Sequence, residues 1–217
     1  MAKVFGLGFS KTGTSSLEKA LQALGYEVCR GHWKLPHTFF LHALYANKDY
    51  EGIRRLSEHF DAFADGPWGG TELYSYLYEW YPDAHFILTM REPEEWYRSL
   101  EKLLTMFDLN LKTCLKSYYA KGMFGSAYFF ESAFAIDRLE GNRQKIIDIY
   151  NERNQEVLDF FATKPDAKFL VMRITEGDGW NVLCPFLDKP VPSRSFFHAN
   201  KAEDNPYLSN TVKKQQD

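Results

Sequence analysis

The sequence predicts an α/β fold: a three-layer α/β/α domain around a parallel sheet of about five strands. Three observations lead there. Short apolar runs alternate with helical patterns along the 217 residues, the rhythm of βαβ crossovers. The runs Phe86-Ile87-Leu88-Thr89-Met90 and Phe169-Leu170-Val171-Met172 are nearly continuous, as suits parallel strands covered on both faces. A glycine-rich turn containing Gly6, Gly8 and Gly13 joins the first apolar run to the first helical pattern, a junction that presents backbone N–H groups and the positive end of a helix dipole.

Taken in order, Val4-Phe5 marks a buried first strand over residues 3–8. Leu17, Ala20, Leu21 and Leu24 then recur at helical spacing until Gly25, giving a helix over residues 14–24. Further strands are expected at residues 26–29, 62–65, 85–90 and 168–174. Helices are expected at residues 39–47, 50–59, 71–80, 94–107 and 138–163, with Pro93 suited to the first turn of the fourth of these. Ligands of such sheets bind at the C-terminal strand ends, so Ser10, Asp65 and Arg91 should converge on one cleft.

The rhythm breaks once. A helical insert between Ser99 and Lys168 replaces a simple crossover, and its middle, residues 106–137, reads as a cap over the cleft. Gly122, Gly125 and many aromatics mark it; these rings either shape an apolar acceptor pocket, dock the insert on the core, or form a dimer contact. Residues 1–201 read as one domain and residues 202–217 as a polar tail.

Composition narrows the function classes. Hydrophobic content of 45% and charged content of 25% are those of a globular protein, and the net charge of −3 argues against non-specific nucleic-acid binding. Aromatic content is 17%, and its concentration between Phe107 and Phe134 reads as a feature of one region rather than of the whole core. The three cysteines, Cys29, Cys114 and Cys184, form no CxxC pair, which suits a reducing compartment and no zinc site. No apolar run reaches the length of a membrane span. Met1-Ala2-Lys3-Val4 enters the first strand at once, so no signal peptide and a cytoplasmic location are expected.

The motif that organises the chain is Gly6-Leu7-Gly8-Phe9-Ser10-Lys11-Thr12-Gly13-Thr14-Ser15-Ser16. Its geometry suits an anion: Lys11 adds a point charge, and Thr14, Ser15 and Ser16 add hydroxyls. In the phosphate loop of NTPases the lysine follows the last glycine; here it precedes Gly13 by two residues. Lys11-Thr12-Gly13-Thr14 resembles the 5′-phosphosulfate loop of sulfotransferases, which holds 3′-phosphoadenosine 5′-phosphosulfate (PAPS). Arg91, after the fourth strand, and Ser99, eight residues on, keep the spacing with which that family grips the 3′-phosphate; an arginine fork pairs bidentately with phosphate.

The stretches Phe60–Pro67, Tyr81–Leu88, Glu176–Trp180, Cys184–Leu187 and Lys189–Pro192 also resemble a P-loop sulfotransferase family, and Phe197-His198-Ala199-Asn200 matches its final motif loosely. The resemblance implies a PAPS-dependent sulfotransferase that needs no metal and acts on a hydroxyl or amine of a small molecule. It implies that Thr12, Gly13, Thr14, Ser15 and Ser16 hold the 5′-phosphate, Arg91 and Ser99 the 3′-phosphate, and that Lys11 neutralises the bridging oxygen. Where many members carry a histidine as general base, this chain has Asp65-Gly66-Pro67. Asp65 is the first candidate; His32, Glu72 and His198 are the others. A carboxylate, with a resting pKa near about 4, needs desolvation or a strong hydrogen bond to serve as base.

Two other classes remain open: an ATP-dependent kinase-like phosphotransferase, and a nucleotide-binding protein without turnover. A Walker-B-like run is approached only by Ala62-Phe63-Ala64-Asp65. The acceptor and the oligomeric state are not legible.

Overall fold

Val4 and Phe5 are fully buried on opposite faces of the first strand, and that alternation divides the interior. A computed structural model describes residues 2–30, 41, 43–105 and 139–197. Its sheet has five parallel strands, β1 (Val4–Gly6), β2 (Val28–Arg30), β3 (Ala62–Ala64), β4 (His85–Thr89) and β5 (Lys168–Met172), in the order β2-β3-β1-β4-β5. The described helices are α1 (Thr14–Ala23), α2 (Tyr50–Ser57), α3 (Leu73–Trp80), α4 (Pro93–Thr105), α5 (Arg143–Ala162) and α6 (Trp180–Phe186), with residues 43–46 also helical.

One face of the sheet presents Val4, Ala62 and Ile87 to Leu17 and Leu21 of α1 and Leu183 of α6. The other presents Phe5, Phe63 and Phe86 to Ile53 of α2, Leu73 and Leu77 of α3, and Val157 and Phe161 of α5. This is the expected α/β/α sandwich. A third cluster, Phe9, Trp96, Tyr97, Leu100, Ile146, Ile147 and Tyr150, joins α4 and α5 to the loop after β1.

Several details differ from the sequence reading. Four of the five strands end earlier than expected, whereas β2 starts later and runs on to Arg30. After Met172 the chain turns into a short 3-10 helix (Ile174–Glu176), with the Asp178 carboxylate accepting the Arg173 N–H at 2.6 Å. β5 is half-exposed rather than covered on both faces, because it lies at the sheet edge. α5 begins at Arg143, after Gly141 takes a left-handed turn at φ 76°. The short helix α6 was not foreseen; seven residues ending beside Pro185 give almost no periodic signal. Aromatic residues are also a feature of the core, where Phe5 stacks on Phe63 at 4.6 Å and Phe161 on Phe169 at 4.3 Å. Single rings on separate strands and helices do not look like a cluster in sequence. The cap expected at residues 106–137, Cys114 and the tail at 202–217 lie outside the described residues.

Candidate functional site

Gly8 and Gly13 make the β1–α1 loop possible. A Cβ on Gly8 would lie 2.0 Å from the Thr89 hydroxyl oxygen and 2.3 Å from the Thr89 carbonyl. Gly13, at φ 104°, caps α1 in a left-handed conformation, and a Cβ there would meet Ile174 at 2.9 Å. The loop therefore passes hard against the end of β4 on one side and the end of β5 on the other.

Thr12 latches it. Its hydroxyl is fully buried, donates to the Phe9 carbonyl at 2.6 Å, and lies 2.7 Å from the Thr89 hydroxyl. A hydroxyl has one hydrogen to give, so Thr89 is the donor in the second bond. The Thr12 side chain thus shapes the loop from beneath. α1 opens from Gly13 with no side-chain cap and no acidic residue in its first turn, whereas α2 is capped by Asp49 and α4 starts with Glu94 and Glu95. The first turn of α1 thus carries no acidic side chain of its own against the positive end of the helix dipole.

Lys11 and Asp65 both take left-handed backbones, at φ 77° and 69°. Lys48 and Asp188 do so as well, but just past helix ends, where such a turn is ordinary. Lys11 and Asp65 instead lie in strand-to-helix loops, where such strain gathers at functional sites. Burial holds the Lys11 pKa below the usual lysine value of 10.5; the nearby Asp65 carboxylate opposes this, while Arg91 and Lys102 add to it. Lys11 therefore feels one carboxylate, from the loop after β3, and two cations, from the segment after β4 and from α4. Asp65 accepts the Gly66 N–H at 2.9 Å and the Thr14 hydroxyl at 3.2 Å.

Arg91 follows β4, its guanidinium reaching Glu95 at 3.3 Å. Its Nε atom is buried with no hydrogen-bond partner among the described residues. Ser99 lies half-buried on α4, two turns along. The two halves of the site are tied by Trp96, whose indole N–H donates to the Ser10 carbonyl at 3.0 Å. Sequence reasoning missed Trp96, Thr89, Lys102 and Tyr150. For Lys102 the signal was present, since 95, 99 and 102 fall on one helix face; for Tyr150 there was none.

Among the other base candidates, His32 and His198 lie outside the described residues. Glu72 accepts the Tyr45 and Tyr50 hydroxyls at 2.8 Å each. Partial burial works to raise its pKa, but hydrogen bonds from its own backbone and both tyrosines, with Arg153 nearby, hold it below the carboxylate range. Both oxygens are engaged and the group is a weakened base. Among the described residues no helix is long and apolar enough to cross a membrane.

A family model described as sulfotransferase domain matches residues 3–205. The chain is also 27% identical over 228 residues to Ava biosynthesis cluster protein M of Aspergillus versicolor, covering 94% of this chain and 82% of that protein.

Proposed function

We propose that this chain, which belongs to the sulfotransferase domain family, moves a sulfuryl group from PAPS to a hydroxyl or amine of a small-molecule acceptor. The observation that carries the reading is that Lys11, after β1, feels the charges of Asp65, after β3, and Arg91, after β4, with the first and last of these segments joined through Trp96 and Ser10. The name of the fungal relative, which sets that protein in a biosynthesis cluster, supports a small molecule as acceptor.

In the reaction, the acceptor oxygen or nitrogen attacks sulfur in line with the bridging oxygen. The sulfur–oxygen bond to the 5′-phosphate breaks, and 3′-phosphoadenosine 5′-phosphate leaves with the electron pair. Such transfers depend on positioning and charge stabilisation. Lys11 stabilises the charge growing on the leaving oxygen. The first turn of α1, with Gly13, Thr14, Ser15 and Ser16, holds the 5′-phosphate, and Thr12 keeps that turn in place. Arg91 and Ser99 hold the 3′-phosphate. Asp65 takes the acceptor proton; a donor phosphate that draws the Thr14 hydroxyl to itself would leave the carboxylate more basic.

One observation favours a second reading. A hydroxyl at the start of the loop helix beside an aspartate on the adjacent strand is the pair with which P-loop NTPases hold magnesium, and Thr14 and Asp65 are 3.2 Å apart. That would make the chain an ATP-dependent phosphotransferase. Calorimetric titration with 3′-phosphoadenosine 5′-phosphate and with ADP, each with and without magnesium, separates the two. The sulfotransferase reading expects metal-independent preference for the bisphosphate, lost by roughly 10- to 100-fold in Arg91→Ala. Equal binding of both nucleotides, or binding only of ADP with magnesium, would sink it.

A further inference from the structure

We infer that Tyr150 and Trp96 form a yoke setting the distance between the two phosphate-binding halves of the site, with Tyr150 the positioning residue for Arg91. The inference rests on the donor reading above. The two rings stack at 4.0 Å and 16°, each about 1% exposed, and Phe9 packs against both at 5.5 and 5.3 Å. Each ring directs its polar atom at a different half. The Trp96 indole donates to the carbonyl of Ser10, the residue before Lys11. The Tyr150 hydroxyl accepts the Arg91 N–H at 3.0 Å and donates to the Arg91 carbonyl at 2.8 Å.

Arg91 falls in the gap between β4 and α4, and one hydroxyl here satisfies both its backbone groups. Burial raises the Tyr150 pKa, so the phenol keeps the proton it donates. The result is an arginine whose main chain is fixed on both sides while its buried Nε has no hydrogen-bond partner among the described residues. That is preorganisation: the cost of ordering the arginine falls on folding rather than on binding. The stack also makes the coupling mechanical. Trp96 comes from α4 and Tyr150 from α5, so a shift of either helix moves the Lys11 loop and Arg91 together.

The test is Tyr150→Phe, which keeps the ring and removes one oxygen. Wild type, Tyr150→Phe, Arg91→Ala and the double variant are titrated with 3′-phosphoadenosine 5′-phosphate and with 5′-AMP, alongside thermal melting. Tyr150→Phe should weaken the bisphosphate about tenfold and AMP less than about twofold. It should cost nothing further in the Arg91→Ala background, since the hydroxyl acts through that arginine. Trp96→Phe, which frees the loop, should weaken both nucleotides alike. Equal loss of both nucleotides in Tyr150→Phe, additivity with Arg91→Ala, or a lower Tm with an unchanged nucleotide ratio would overturn the inference. Failure of wild type to prefer the bisphosphate is a different result: it would overturn the donor reading, and the yoke with it.

Discussion

In the proposed reaction Lys11 has to be charged, yet its surroundings disfavour the charge. Burial comes first among the causes; Asp65 comes next and opposes it, and Arg91 and Lys102 then act with burial. The sign for stability follows. The unfolded chain holds this proton more tightly than the folded one, so Lys11 destabilises the fold at pH values below its lowered pKa. The penalty fades as pH rises through that value toward the ordinary 10.5. Lys11→Met should therefore raise the melting temperature at pH 7 while lowering kcat roughly 10²- to 10³-fold, the usual opposition of stability and activity. In the pH profile, the alkaline limb of kcat/KM should lie below the normal lysine range. Asp65→Asn should move that limb further down in whatever activity it retains, and Lys102→Ala should move it up; a limb unmoved by either would remove Lys11 from the chemistry.

At the scale of the element, the β1–α1 loop is the best instance of what a sequence does and does not give. The glycines, the lysine and the hydroxyls are local, so their order alone predicted the strand–turn–helix that the structure bears out, and made it the proposed anion site. The separate duties of the hydroxyls were not local. Thr12 turned inward to Thr89, 77 residues away, while Thr14 faces Asp65. Thr12→Val should lower stability by about 1–3 kcal/mol, because the Thr89 hydroxyl loses its buried acceptor. It should also weaken 3′-phosphoadenosine 5′-phosphate and AMP by similar factors. Urea unfolding and calorimetry check the two halves of that prediction. A loss of nucleotide affinity at unchanged stability would mean that Thr12 meets the ligand directly. The segment after β4 shows the same division: the spacing of Arg91 and Ser99 could be read along the chain, but the tie from Trp96 to Ser10, across 86 residues, could not.

On the scale of the whole molecule, a ligand joining the ends of β1, β3 and β4 should stabilise the fold as a unit. At a hundredfold excess over Kd, 3′-phosphoadenosine 5′-phosphate should add about 2.7 kcal/mol, a rise of roughly 5–11 °C in Tm for a chain of this size. Arg91→Ala should lose most of that rise at the same concentration, and a rise that survives the substitution would place the 3′-phosphate elsewhere. Apolar periodicity determined the number, order and type of the main elements, because a strand or helix must hide one face whatever it packs against. Local motif order singled out the β1–α1 loop as the proposed anion site. Tertiary structure alone decided the strand order, the exposed edge at β5, the inward turn of Thr12, and the placing of Tyr150, stacked on Trp96, where it makes two hydrogen bonds to Arg91, 59 positions away. Those choices depend on which buried groups find partners across the fold, and pairing at that distance leaves no periodic trace along the chain.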